Sequence, residues 1–400
     1  MPQRLPVEVP SIEMAQSARL PNSPFLVGTI ALGAWLVFVL VRLLRLADGD
    51  IGYFVLAGTE FTDGSAGLPL LDGAGYDGQF FHRLAVNPFD GGDRVGGTIL
   101  DSSWRAVRIG YPLLAWVVGF IGVPTSWALV IVNLAAVTTL GYLGAYIARS
   151  AGRDAIWGLL LPMYFGFAFS IARDLAEVVA TAALVGGVVF GMNRRHLVAG
   201  LCLSLAVLSR ETIVAAVLVI GLVEIVSILR RRRPIGSIDA VWVLPFVCFV
   251  SWQLVVAFLW HRSVFDIGGG TGSIRVPGAA LIEQLPVVFS ASYLSDATLN
   301  IVHAIEVFVL LAVVLVAALV CFRSGQPRIL TSVFFGLVVM LFTADVPIGI
   351  WTDRNDLRMF AGVYAIAVII LLRTKMRLHL HALVVAVCTG AAALSFVIGA

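Results

Sequence analysis

The sequence predicts an all-α polytopic membrane protein with about eleven transmembrane helices. Three observations carry that prediction. Hydrophobic residues fill 60% of the 400 positions and charged ones 13%, with a mean hydropathy of +0.97, whereas soluble domains run near a quarter charged. The apolar residues fall in runs close to the roughly 20 that a helix needs to cross a bilayer core. The arginines gather in short connections that one layout of those runs puts on a single side, the pattern of cytoplasmic loops.

In chain order, residues 1–24 form a polar, proline-bearing tail without the short apolar stretch and cleavage site of a signal peptide. From residue 25 to 400 the chain reads as a single transmembrane domain. The first span is Phe25–Ala47. A polar loop over 48–122 follows, and it holds nine carboxylates (Asp48, Asp50, Glu60, Asp63, Asp72, Asp77, Asp90, Asp93, Asp101) against four arginines (Arg83, Arg94, Arg105, Arg108). The chain has 24 acids in all, so this loop concentrates more than a third of them. The expected spans then run Val123–Ala148, Ala155–Ile171, Leu175–Met192, Leu197–Ser209, Thr212–Leu229, Ala240–Trp260, Leu299–Phe322, Ile329–Phe342, Leu357–Leu372 and Leu380–Ile398. A second long loop covers 261–298.

The segment Ile109–Ile121 is short for a span and carries Pro112. Laid on the membrane surface, it leaves Arg149/Arg153, Arg194/Arg195, Arg230 to Arg233, Arg323/Arg328 and Arg373/Lys375/Arg377 on one side, which is then cytoplasmic. The acidic loop faces out. A twelve-span layout in which 109–121 crosses would bring Arg42 and Arg45 inside instead. In the preferred eleven-span layout those two arginines need an outer partner, such as a phosphate or Asp48 and Asp50. Lys375 is the single lysine among 27 basic residues, a bias of GC-rich bacterial genomes, and it points to a bacterial cytoplasmic membrane. Cys202, Cys248, Cys321 and Cys388 sit apart in apolar runs and suit neither disulfides nor metal ligation.

Charged groups converge on the predicted outer side. Asp50 and Asp77 lie in the first loop, where Gly75-Tyr76-Asp77-Gly78-Gln79-Phe80-Phe81-His82-Arg83 is the central stretch. Arg173, Asp174 and Glu177 separate two spans, and Arg210 and Glu211 separate the next two. His261, Arg354 and Arg358 come from later loops. A carboxylate beside arginines at a lipid boundary suits a particular chemistry, in which a base takes a proton while cations hold a departing phosphate. The phosphate oxygens match the guanidinium fork.

Each residue also has an ordinary reading. Asp77 precedes glycine, a frequent turn pair, and Asp50 can cap a helix starting at Ile51. Arg173 with Asp174 or Glu177, and Arg210 with Glu211, can be local pairs at helix ends. Arg354 and Arg358, four apart, would share a helix face as a phosphate clamp. The run Gly268–Ser273 lacks the lysine of a phosphate-binding loop and reads as a flexible loop.

This arrangement resembles the GT-C superfamily of integral-membrane glycosyltransferases. The residues that carry the resemblance are Asp48-Gly49-Asp50-Ile51-Gly52-Tyr53 and Gly75-Tyr76-Asp77-Gly78-Gln79-Phe80 after the first span. To these are added the surface-helix run Arg108-Ile109-Gly110-Tyr111-Pro112-Leu113-Leu114, the break Leu208-Ser209-Arg210-Glu211-Thr212, and the loop Asp353 to Arg358. The resemblance implies a large first external loop with juxtamembrane helices. It implies a polyprenyl-phosphate sugar donor, a glycan or lipid acceptor, and inverting single displacement on the external face. Asp77 or Asp50 is then the base, and Arg210, Arg354, Arg358 and Arg173 hold the donor phosphate. Tyr76, Gln79, His82, Arg83, Asp174, Glu177, Glu211 and His261 are the substrate-binding candidates. Some of that superfamily need a divalent cation, although no metal cage is legible here. The partners expected are lipids and sugars, with no nucleic acid. A transporter or flippase of a polar or lipid-linked substrate is the alternative, and a surface-polysaccharide ligase or polymerase a further one.

Overall fold

The structure is a computed structural model and describes residues 22–230, 234–261, 275–344 and 351–398. The tail through residue 21, Arg231 to Arg233 and the run Gly268–Ser273 lie outside the described residues. Helix α1 (Pro24–Leu46) starts on a proline, whose missing N–H costs nothing at that end. Its 23 residues reach about 34 Å, enough to cross a bilayer core. It packs along α4 (Thr125–Ser150), where Gly141 brings the two backbones together: a Cβ there would lie 3.0 Å from the Val27 carbonyl.

Six helical stretches among the described residues are long and apolar enough to cross a membrane: Pro24–Leu46, Thr125–Ser150, Glu211–Leu229, Ser237–Leu259, Thr298–Arg323 and His379–Val397. They include α8 (Val214–Leu229), α9 (Ala240–Leu259), α12 (Thr298–Arg323) and α15 (His379–Ile398). Ile301, Phe308, Leu315 and Phe322 form an exposed stripe on α12. In a chain of this composition, such a stripe faces lipid. The protein is an α-helical membrane protein.

Shorter helices complete the bundle. These are α5 (Gly166–Ala172), α6 (Glu177–Met192), α7 (His196–Ser209), α13 (Arg328–Thr343) and α14 (Ala361–Leu372), with α5, α6 and α14 the most buried. The long loop over 261–298 contributes α10 (Ala279–Val288) and α11 (Ala291–Asp296).

The expected span Ala155–Ile171 is not one helix. A 3-10 turn covers Ala155–Leu160 and α5 begins only at Gly166. Pro162 lies between them and its carbonyl accepts a hydrogen bond from Trp35. Proline ends the helical ladder at that point.

The first loop folds on itself. It contains α2 (Gly78–Val86), two short strand pairs (57–58 with 70–71, and 94–95 with 98–99), and α3 (Gly110–Gly119). Ten residues make α3 about 15 Å long, half a bilayer core.

Candidate functional site

Three glycines let separate elements meet at one place. A Cβ on Gly78 would lie 2.5 Å from the Arg173 carbonyl, so the first loop docks directly on the break between α5 and α6. A Cβ on Gly110 would lie 2.8 Å from the Ser209 backbone nitrogen, so α3 docks on the end of α7, beside Arg210. A Cβ on Gly166 would lie 2.8 Å from the Arg358 Cα, which brings the 3-10 turn Arg354–Phe360 onto α5. Loop, two broken spans and a late turn thus share one end of the bundle.

Asp77 sits there at the start of α2, but its carboxylate does not cap that helix. Arg105 Nη1 donates to its Oδ1 at 2.7 Å, and Arg108 Nη1 lies 3.8 Å from Oδ2. Burial by itself would raise the proton affinity of Asp77. Arg105 and Arg108, with Arg358 and Arg210 farther off, outweigh burial and hold the carboxyl below its usual range. Arg105 is itself clasped by Asp101 through two hydrogen bonds. Arg108 makes a bidentate pair with Glu211, at 2.8 and 2.7 Å.

Glu177 is the second centre. Its carboxylate is 4% exposed and lies 3.3 Å from Arg210 Nη1 and 3.1 Å from Arg358 Nε. The Arg358 contact is close but off the line of a hydrogen bond, so it acts through charge. Among the described residues Arg173 faces no carboxylate at bonding distance. It stacks instead over Phe169 at 4.3 Å and Tyr76 at 4.5 Å, and Arg358 lies over the same two rings. The local pairs of the ordinary reading, Arg173 with Asp174 or Glu177 and Arg210 with Glu211, therefore do not form: Arg210 pairs with Glu177 and Glu211 with Arg108.

Below Arg210 and Arg358 runs a slot with Glu177, Ala180 and Thr181 of α6 on one side. Leu337, Met340, Leu341 and Ala344, on and just past α13, form the apolar wall. It is narrow, about 40 Å³, room for a few waters.

Other candidates lie elsewhere. Asp50 caps the 3-10 turn Ile51–Phe54, accepting from the Gly52 nitrogen at 2.8 Å, and makes no ion pair among the described residues. Arg42 reaches neither Asp48 nor Asp50: it donates to the Phe396 carbonyl at 2.6 Å and covers the Phe54 ring. Gln79 and Arg83 face the interior of the loop, not the site. Gln79 accepts from the Gly58 nitrogen and the Thr62 hydroxyl and donates to the Ala74 carbonyl. Arg83 donates to the carbonyls of Thr98 and Gly92. His82 is buried, and burial lowers its pKa to about 4. Gln79 and Arg83 are occupied by folding the loop, because a polar loop must satisfy its own buried backbone.

Asp174 is fully buried with φ +49, and neither of its oxygens has a hydrogen-bond partner among the described residues. His261 is exposed just past α9, and among the described residues no hydrogen bond or ion pair joins it to this network. The side chain of Arg354 lies outside the described residues. Sequence reasoning left Arg105 and Arg108 out of the site. The only signal for them was Arg105 four residues after Asp101, and Arg108 opening the surface-helix run.

Among the described residues no group of three or more His, Cys, Asp and Glu side chains is placed to hold a metal ion. The carboxylates here are committed to arginines, which compete with a cation, so the site does not fit a divalent metal. Against known proteins, the chain matches no family model, no curated sequence and no solved structure.

Proposed function

We propose that this chain is a membrane glycosyltransferase of the GT-C type, moving a sugar from a polyprenyl-phosphate donor to an acceptor hydroxyl. One observation carries the reading: Asp77 lies within an arginine cluster that heads an apolar slot. A lipid phosphate has that same division, an anion on a hydrocarbon tail. In this reading the six long helices, the shorter α6, α7, α13 and α14, and the broken 155–172 segment make up eleven crossings. The arginine-rich connections are cytoplasmic and Asp77 is outside.

The reaction runs as one displacement. Asp77 takes the proton of the acceptor hydroxyl, whose oxygen bonds to the anomeric carbon as the bond from that carbon to the phosphate oxygen breaks. The electron pair leaves on the phosphate, which needs no proton to depart. Arg210, Arg358 and Arg173 hold its charge. In the resting state Asp77 is a weak base because its arginines lower its proton affinity. An incoming phosphate neutralises Arg358 and Arg210, which contribute to that lowering, and so restores part of the affinity. Loading a prenyl chain also requires α13 to move outward, given the narrow slot.

The test is turnover with a polyprenyl-phosphate sugar by purified wild type, Asp77→Asn and Asp50→Asn. Loss of a general base costs about 10²- to 10⁴-fold. Asp77→Asn should fall by that order, while Asp50→Asn should keep most activity. Undiminished turnover in Asp77→Asn overturns the assignment. The two broken spans with charges at their breaks also suit a transporter; substrate flux into vesicles without sugar transfer would favour that reading instead.

A further inference from the structure

The opposite end of the same helices holds a second pocket, which the proposed reaction leaves unused. Its volume is about 470 Å³. Helix α6 runs from Glu177 at the first site to Met192 at this pocket, and α13 runs from Arg328 here to Thr343 at the slot. Sixteen residues each put the two about 24 Å apart. They do not connect along α8 and α13: a Cβ on Gly336 would lie 2.5 Å from the Ala216 Cα, so those backbones meet between them.

The lining is part charged and part apolar. Arg194 and Arg328 supply the charge, and Met192, Ile220 and Ile329 the apolar wall. Arg194 closes α6 with a left-handed backbone, φ +59, a conformation rare outside glycine. Arg328 opens α13, whose first turn carries no acid. A cation at the positive end of a helix is poorly placed by itself. An anion held between the two arginines would offset both charges and the unsatisfied first-turn N–H groups. Glu224 also lines the pocket, but it already has a partner.

We propose that this pocket binds the phosphate headgroup of an anionic phospholipid, with the phosphate between Arg194 and Arg328 and the acyl chains against the apolar wall. The inference does not depend on the glycosyltransferase reading. It concerns the arginine-rich end, where anionic lipid would meet the protein.

The test uses full-length protein in neutral detergent, with thermal melts and native mass spectrometry. The probes are phosphatidylglycerol, phosphatidylcholine and inorganic phosphate. Phosphatidylglycerol should raise the melting midpoint and remain bound, and the other two should not. Arg194→Gln with Arg328→Gln should weaken its binding about thirtyfold. Arg195→Gln, one residue away and outside the lining, should keep it. Ile220→Trp should also lose it by filling the pocket with the arginines left in place. An undiminished response in the Arg194/Arg328 double variant or in Ile220→Trp overturns the proposal. So does equal stabilisation by inorganic phosphate at matched concentration, which would mark a free-phosphate site.

Discussion

At the residue scale the site is a contest for arginines. Glu177 holds two of them in a buried setting, and removing one partner of such a group costs about 3–5 kcal/mol because charge is left uncompensated. Glu177→Gln should therefore lower the thermal midpoint markedly, whereas Asp101→Asn, at a quarter-exposed pair, should barely move it. His82 gives a pH prediction with a definite sign. Its folded pKa of about 4 lies below the ordinary 6.5, so the unfolded chain binds the extra proton between those values. Its contribution to stability is present above about pH 6.5 and is lost as pH falls toward 4. A His82→Phe variant should show a flatter stability profile across that window, measured by melts from about pH 7 to 4.5. The sequence offered Asp50 and Asp77 as equals, and local chemistry separates them. Asp50 serves its own helix start, and Asp77 reaches across 28 residues to Arg105.

At the element scale, close backbone approach assembles the site. Gly78 meets the carbonyls of Arg173 and Val55, atoms that cannot rotate aside. Gly78→Ala should force the first loop off the α5–α6 break, at about 1–3 kcal/mol. Its turnover should fall along with its midpoint. Gly33→Ala, with open space around its position in α1, should leave both unchanged. Spans were legible where runs were long and uninterrupted, as for α1, α4 and α12. The sequence missed the break at Pro162, because apolar composition across 155–171 hides it.

At the scale of the whole molecule, the bundle has two chemically different ends. One gathers Asp77 and its arginines; the other carries the arginine-rich connections between spans. There Arg153 donates to the carbonyls of Leu372, Thr374 and Met376, tying the end of α4 to the end of α14. Cysteine-accessibility labelling in intact cells should find a residue placed at Gly64 reactive to impermeant reagent from outside and one at Gly325 protected. The reverse pattern would place Asp77 in the cytosol and remove the reading of an externally presented donor.

Hydropathy and charge placement are local properties that a bilayer reads directly, so a helical membrane protein with one acid-rich loop follows from the order of residues alone. The same order marks Asp77, Arg173, Glu177, Arg210 and Arg358 as charged groups at breaks. Which of them meet is a property of the folded chain. Pairing depends on Gly78, Gly110 and Gly166, each of which admits a backbone from far along the sequence. No local pattern encodes which distant segment will fill that space.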